Sequence, residues 1–480
     1  MHEVELKLQI PTDQFNALNK AFLTKTTQKI DLHARYFDTQ DSALAQHLMA
    51  IRIRKEGAHW IQTFKSAGKS HLQRFEHELD LGTALEAPNL DLEIYQQYPQ
   101  ALALLNQALG DNWQQLELQF ETIVQRHYRI IHLNGSKIEV CLDLGTLKSQ
   151  QQQRSIQEVE FELKSGQLTD LIQITAQWVK RYHLWLDVRS KAERGHLLAH
   201  DKVVSDATLA KPYQLDPNVH PENALKVIIA QSLEHILPNV AAIAEQVATI
   251  QHIQQAKISI QQLYHVLKHF AHWSHHKLTV WEKQLKALAS QLEQANNEEI
   301  FHQQILPKIQ QAGVQFKLEK SDYTQLLSRI FQDPLTTKLW LELLDFAYTQ
   351  NQNATSKSNL HKKAVKILQP LEHQAVKKVN QYQTLEPKQK QSLSQHITAL
   401  THIFSAVSSL YPAKAAQIYY TKLTATQAQL EKYRQLRWAK KWLKTQTQNQ
   451  AVLSWLDAQQ NKRDQKIIKK LRRLAKNHPF

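Results

Sequence analysis

A chain of 480 residues with 59 Lys+Arg, 44 Asp+Glu and a formal net charge of +15 is too long for one ordinary hydrophobic core and is expected to divide into two or three domains. Its single cysteine, Cys141, excludes an intramolecular disulfide and fits a reducing compartment. With no basic-then-apolar leader and no run of about 18 uncharged apolar residues, a cytoplasmic protein without a membrane partner is expected.

Residues 1–200 hold 22 Lys+Arg against 24 Asp+Glu, leaving 37 against 20 for the rest, and eight of the nine glycines fall at or before Gly195. Turn-rich structure therefore belongs to the first part of the chain. In order, HEVELKLQI, ARYFDT, AIRIRK, WIQTFKS, RFEHELDL, ETIVQRHYRIIHL, KIEVCLDL and QEVEFELK alternate as strands do. They predict an antiparallel sheet or barrel, with helices in 12–24, 95–109 and 168–183.

The polar phase of these strands is charged throughout: Glu3, Glu5 and Lys7; Arg52 and Arg54; Arg74, Glu76 and Glu78; Glu158, Glu160, Glu162 and Lys164. For any one strand a solvated face is the plain reading. It explains the set less well, because a solvated face accepts Ser, Thr, Gln and Asn freely. Turned into a lumen, Lys7, Arg52, Arg54, Lys65, Arg74 and Arg126 would receive a polyanion. Glu3, Glu5, Glu158 and Glu160 would repel it unless a hard cation, Mg²⁺ or Mn²⁺, bridges carboxylates and phosphates. Phosphoryl transfer needs that arrangement. No aromatic slot for a nucleotide base is evident, so the expected ligand is a linear phosphate chain.

Residues 203–221, with Pro212, Pro217 and Pro221, read as a linker. Beyond it the period becomes helical: Leu225, Ile228, Ile229, Leu233, Ile236 and Leu237 share a stripe. The last helix sets Ile467, Ile468, Leu471 and Leu474 against Lys466, Lys469, Lys470, Arg473 and Lys476. It reads as solvated, and without a recognisable nucleic-acid motif no nucleic-acid partner is expected. His265 and His269 have the i, i+4 spacing of metal ligands, but no carboxylate or cysteine nearby in sequence completes a site.

Taken together, E-x-E-x-K (Glu3, Glu5, Lys7), YFDT (Tyr36 to Thr39), IRIR (Ile51 to Arg54), QTFK (Gln62 to Lys65), R-x-E-x-E (Arg74, Glu76, Glu78), LDLG (Leu142 to Gly145), EVEFELKSG (Glu158 to Gly166) and SKAERG (Ser190 to Gly195) resemble, in order and spacing, the CYTH superfamily of triphosphate tunnel metalloenzymes. The resemblance implies an α+β fold, with an eight-stranded antiparallel tunnel over residues 1–202. It implies Mg²⁺ or Mn²⁺ on Glu3, Glu5, Glu158 and Glu160, and phosphates on Lys7, Arg52, Arg54, Lys65, Arg74, Arg126 and Lys191. Catalytic roles fall to Glu3, Glu5, Lys7, Glu78 and Asp143. Glu76, Glu139 and Glu162 are further orienters, and Lys164 and Arg194 structural partners.

Residues 222–480 resemble CHAD domains, which imply two antiparallel helical bundles. The usual arginine-rich helix here reads QQAKISIQQLYHVLKHF, with Lys257 in place of the first arginine and Gln261, Gln262 and Tyr264 in place of others. The combination resembles bacterial inorganic triphosphatases, hydrolases of phosphoric anhydrides. The alternatives are a polyphosphate-binding protein, or an enzyme acting on thiamine triphosphate or ATP.

Overall fold

The computed structural model describes residues 2–70, 72–150, 152–313, 321–349, 359–446 and 449–474; Lys476 lies outside them. Two compact units divide the chain. The first comprises Met1–Ala207 with Val240–Ala248 and Ser328–Asp345, the second Thr208–Asn239, Thr249–Leu327 and Phe346–Phe480.

Eight strands build the first unit: β1 (His2–Gln9), β2 (Gln28–Asp38), β3 (Met49–Glu56), β4 (His59–Ser70), β5 (Gln73–Thr83), β6 (Glu117–Leu133), β7 (Ser136–Lys148) and β8 (Gln153–Ser165). Their order is β5-β4-β3-β2-β6-β7-β8-β1, and β1 returns to β5 through Glu3↔Arg74. Every neighbour is antiparallel, so the sheet closes on itself and leaves no edge among the eight. A two-residue strand, β9 (Trp185–Leu186), lies beside β1.

Much of the barrel's apolar core lies on its outer wall. Ile51, Phe64 and Phe75 pack with Tyr95, Ala101, Leu105 and Leu109, which come from the turn Glu93–Gln97 and the helix Pro99–Leu109. Elsewhere on the wall, Phe161 meets Trp178 of the helix Leu168–Tyr182 edge to face at 5.5 Å. With these faces covered by helices, the opposite, charged phase is left for the lumen.

The second unit is helical. Helices Leu360–Asn380, Pro387–Val407, Ala413–Gln446 and Gln450–Leu474 pack successively, and Ile250–His269 packs on Thr279–Ile300 and on Pro387–Val407. Helix Pro221–Ala244 is long and apolar enough to cross a membrane by length and composition, but 72% of that stretch is buried. Apolar side chains surround much of it, Leu225, Ile228, Ile229, Leu233, Ile236 and Leu237 being at most 2% exposed. It is therefore a core helix rather than the one-sided helix its stripe predicts.

Candidate active site

Directly paired residues of antiparallel strands point to one face. Glu5, Glu162 and Glu139 form one row across β1, β8 and β7; Lys7, Glu160 and Cys141 the next; Gln9, Glu158 and Asp143 a third. Ion pairs also skip strands: Lys65 on β4 reaches Glu3 on β1 at 2.8 Å, and Arg126 on β6 reaches Glu160 on β8 at 2.6 Å. Such pairs form only where side chains converge on a concave face, so Glu3, Glu5 and Lys7 point inward.

At one end of the lumen three carboxylates meet three cations. Oxygens of Asp143, Glu158 and Glu160 all lie within 4.8 Å of one another. Arg126 forks onto Asp143 with two bonds of 2.7 Å, and Lys191 lies 2.7 Å from Asp143 and 2.8 Å from Glu160 while also contacting Glu158. Arg194 binds Glu158. Burial favours the neutral carboxyl, but Lys191 and Arg126 prevail and hold Glu160 well below the usual carboxylate range; the same cations lower Asp143.

Lys191 and Arg194 enter on the helix Lys191–Ala199, which starts at Ser190, whose hydroxyl accepts from the Glu193 amide at 3.0 Å. Its Gly195 lies against Phe120, where an added Cβ would stand 2.1 Å from the ring. Helix and barrel touch there at van der Waals distance, which only glycine permits. Tyr36 stacks on the same Phe120 at 4.5 Å and accepts from Arg52 at 3.1 Å.

The row Glu5, Glu162, Glu139 is less well balanced. Lys164 serves both Glu162 at 2.6 Å and Glu139 at 3.5 Å, and Arg74 stands 3.7 Å from Glu5. The Glu162 carboxyl is pushed up to about 7, first by burial and then by Glu3 and Glu139, against its bond to Lys164. That disfavours its charged form by roughly 3 kcal/mol. Hard-oxygen donors with excess negative charge suit a divalent cation. At Asp143, Glu158 and Glu160 a cation has to compete with three basic side chains.

The predicted metal carboxylates thus divide between two places, Glu158 and Glu160 with Asp143, Glu3 and Glu5 near Glu162. Of the predicted phosphate ligands, Lys65 bridges Glu3 and Glu76, Arg52 lies 4.0 Å from Glu76, and Arg54 pairs with Glu56 and lies 3.7 Å from Glu78. Lys7 donates to the Arg189 carbonyl at 3.2 Å. Glu78 accepts from Thr63 at 3.4 Å and is half exposed. Sequence reasoning missed the buried pair Asp187 and Arg189, with bonds of 2.9 and 2.8 Å. A D-x-R spacing beyond the last long strand was its only signal.

Fold and lumen together define a charged antiparallel β-tunnel. Residues 1–196 match the model of the CYTH domain. An inorganic triphosphatase of Haemophilus influenzae is 31% identical over 216 residues, 43% of this chain; the chain spans 57% of that relative's length. The CHAD domain of the plant Ricinus communis is 20% identical, with TM-score 0.46 over 56% of this chain and 97% of that one. A Hippeastrum adenylyl-cyclase-like protein with a dominant triphosphatase activity is 18% identical, with TM-score 0.29 over 42% of this chain and 97% of that one.

Proposed function

We propose that the tunnel hydrolyses inorganic triphosphate to diphosphate and phosphate with a divalent cation, Mg²⁺ or Mn²⁺. The observation that carries this reading is the charge plan of one lumen. Lys7, Arg52, Arg54, Lys65, Arg74 and Arg126 line it from five strands, beside a carboxylate row that its own lysine does not neutralise. The match to a relative named inorganic triphosphatase supports it.

In this reading the guanidinium forks grip phosphate oxygens bidentately and the lysines act as point charges. Glu3, Glu5, Glu158 and Glu160 would hold the cation, the last two being among the carboxylates whose oxygens converge with Asp143, and the cation would supply charge neutralisation on the phosphoryl oxygens. Asp143, committed to Arg126 and Lys191, orients those cations. Glu78, half exposed, would orient the attacking water in this reading. Tyr36 and Phe120 are 4% and 2% exposed, so they offer no open ring for a base, which favours an inorganic chain over ATP.

In the second unit, Lys257 pairs with Glu431 at 2.9 Å and Arg434 with Glu293 at 3.3 Å. Those cations are occupied internally, which disfavours polyphosphate binding at that place. A cytoplasmic setting fits the buried free thiol of Cys141. Phosphate release from triphosphate, ATP and thiamine triphosphate, each with Mg²⁺ or Mn²⁺, tests the substrate. Triphosphate should be turned over fastest, and faster turnover of either organic compound would reassign it.

A further inference from the structure

Glu245 lies beyond the residues that match the CYTH domain, yet it belongs to the tunnel's own compact unit. It follows the helix Pro221–Ala244, and the Ala244 carbonyl is held by the Ser328 hydroxyl at 2.6 Å and the Gln332 amide at 2.7 Å. Gln246 then turns at φ 62°, which closes the helix end and fixes where Glu245 stands. Its carboxylate binds the Arg189 guanidinium.

Arg189 is 5% exposed, and Asp187, which takes the rest of its fork, is fully buried. The loop they stiffen touches the lumen twice. The Arg189 carbonyl receives the Lys7 ammonium at 3.2 Å, and the Asp187 amide donates to the Lys7 carbonyl at 3.0 Å. The next residue, Ser190, starts the helix that delivers Lys191 and Arg194, and Glu245 acts electrostatically on Arg194 as well. Gln9 ties Asp187 to Glu158, at 3.1 and 3.4 Å.

We propose that Glu245 is a positioning residue of the tunnel: by clamping Arg189 it holds the loop that fixes the Lys7 ammonium against the lumen wall. A segment beyond the family domain thereby sets the geometry of a phosphate contact. The kinetic part of this inference rests on the triphosphatase reading; the positioning part does not.

The test uses the full chain. Glu245→Gln keeps the size, and a side chain 43% exposed tolerates it. With triphosphate and Mg²⁺, kcat/KM should fall on the order of tenfold, and Glu245→Asp should recover part of the loss. Lys7→Ala should then cost far less in the Glu245→Gln background than in the parent, while Lys65→Ala costs the same in both. Independently of turnover, acetylation by an activated acetate ester, read by mass spectrometry, should modify Lys7 about fivefold faster in Glu245→Gln, with Lys29, an exposed lysine of β2, unchanged. Arg189→Lys, which keeps the charge and loses the fork, should reproduce that labelling. A parent that does not cleave triphosphate refutes the activity and leaves labelling to decide the clamp. Parental Lys7 labelling in both variants overturns the clamp.

Discussion

Lys191 brings a single ammonium to Asp143, Glu158 and Glu160, all three in a lumen where the lysine itself is 12% exposed. Removing one partner of a buried network leaves the others uncompensated, so Lys191→Met should destabilise the protein by about 3–5 kcal/mol in urea unfolding at pH 7.5. Because Asp143 and Glu160 titrate below their unfolded values, the stability they contribute is present above about pH 4.5 and is lost as pH falls. Lys191→Met should flatten that acid limb. Glu162 has the opposite sign. Raised to about 7, it favours folding below about pH 4.5 and loses that contribution as pH rises to 7. Glu162→Gln should therefore stabilise the metal-free protein at pH 8 by up to roughly 3 kcal/mol while lowering activity; a less stable variant would contradict the charge excess. The alternation of Glu158, Glu160 and Glu162 shows in the sequence that they share a face. It cannot show which are neutralised, because the deciding cations, Lys191 and Arg194, lie about 30 residues further on.

Among the elements, the helix Lys191–Ala199 brings Lys191 and Arg194 to the lumen carboxylates, and its approach to the barrel depends on Gly195. Gly195→Ala should lower stability by about 1–3 kcal/mol through overpacking against Phe120, and Phe120→Leu in the same chain should recover part of the loss. Equal stability of Gly195→Ala and parent in thermal melts would show that helix and barrel are not in contact there. All eight strands of the barrel were legible, since strict alternation marks a strand and its faces. The helices near 95–109 and 168–183 were legible from their period. The helix Lys191–Ala199 was visible only as the motif SKAERG, its cap and its target on the barrel being tertiary facts. The short turn Ala43–Gln46 and the two-residue β9 are too brief to leave a period.

At the scale of the whole molecule, the sequence shows a change of period near residue 221. It does not show that Val240–Ala248 and Ser328–Asp345 join the compact unit of the barrel, because such a return is written in contacts and not in periodicity. The second unit carries its own pH dependence. His265 lies 5.4 Å from His402 and 6.3 Å from His269, ring to ring. Burial first lowers His402 to about 4, with Lys257 and Arg434 adding to it and Glu431 opposing; burial, Lys268 and His396 lower His269 to about 4. Folded-state values depressed below about 6.5 mean stability that is complete above that pH and lost as pH falls towards 4. Melting at pH 5 should thus fall below that at pH 7.5, and His402→Gln should shrink the difference. Hydrolysis in the tunnel is tested by phosphate release from triphosphate, with and without Mg²⁺, by the parent and by Glu5→Gln of unchanged circular dichroism. Release by the parent that needs Mg²⁺, and its loss by at least about 100-fold in the variant, is the expected result; a Glu5→Gln protein as active as the parent would contradict it.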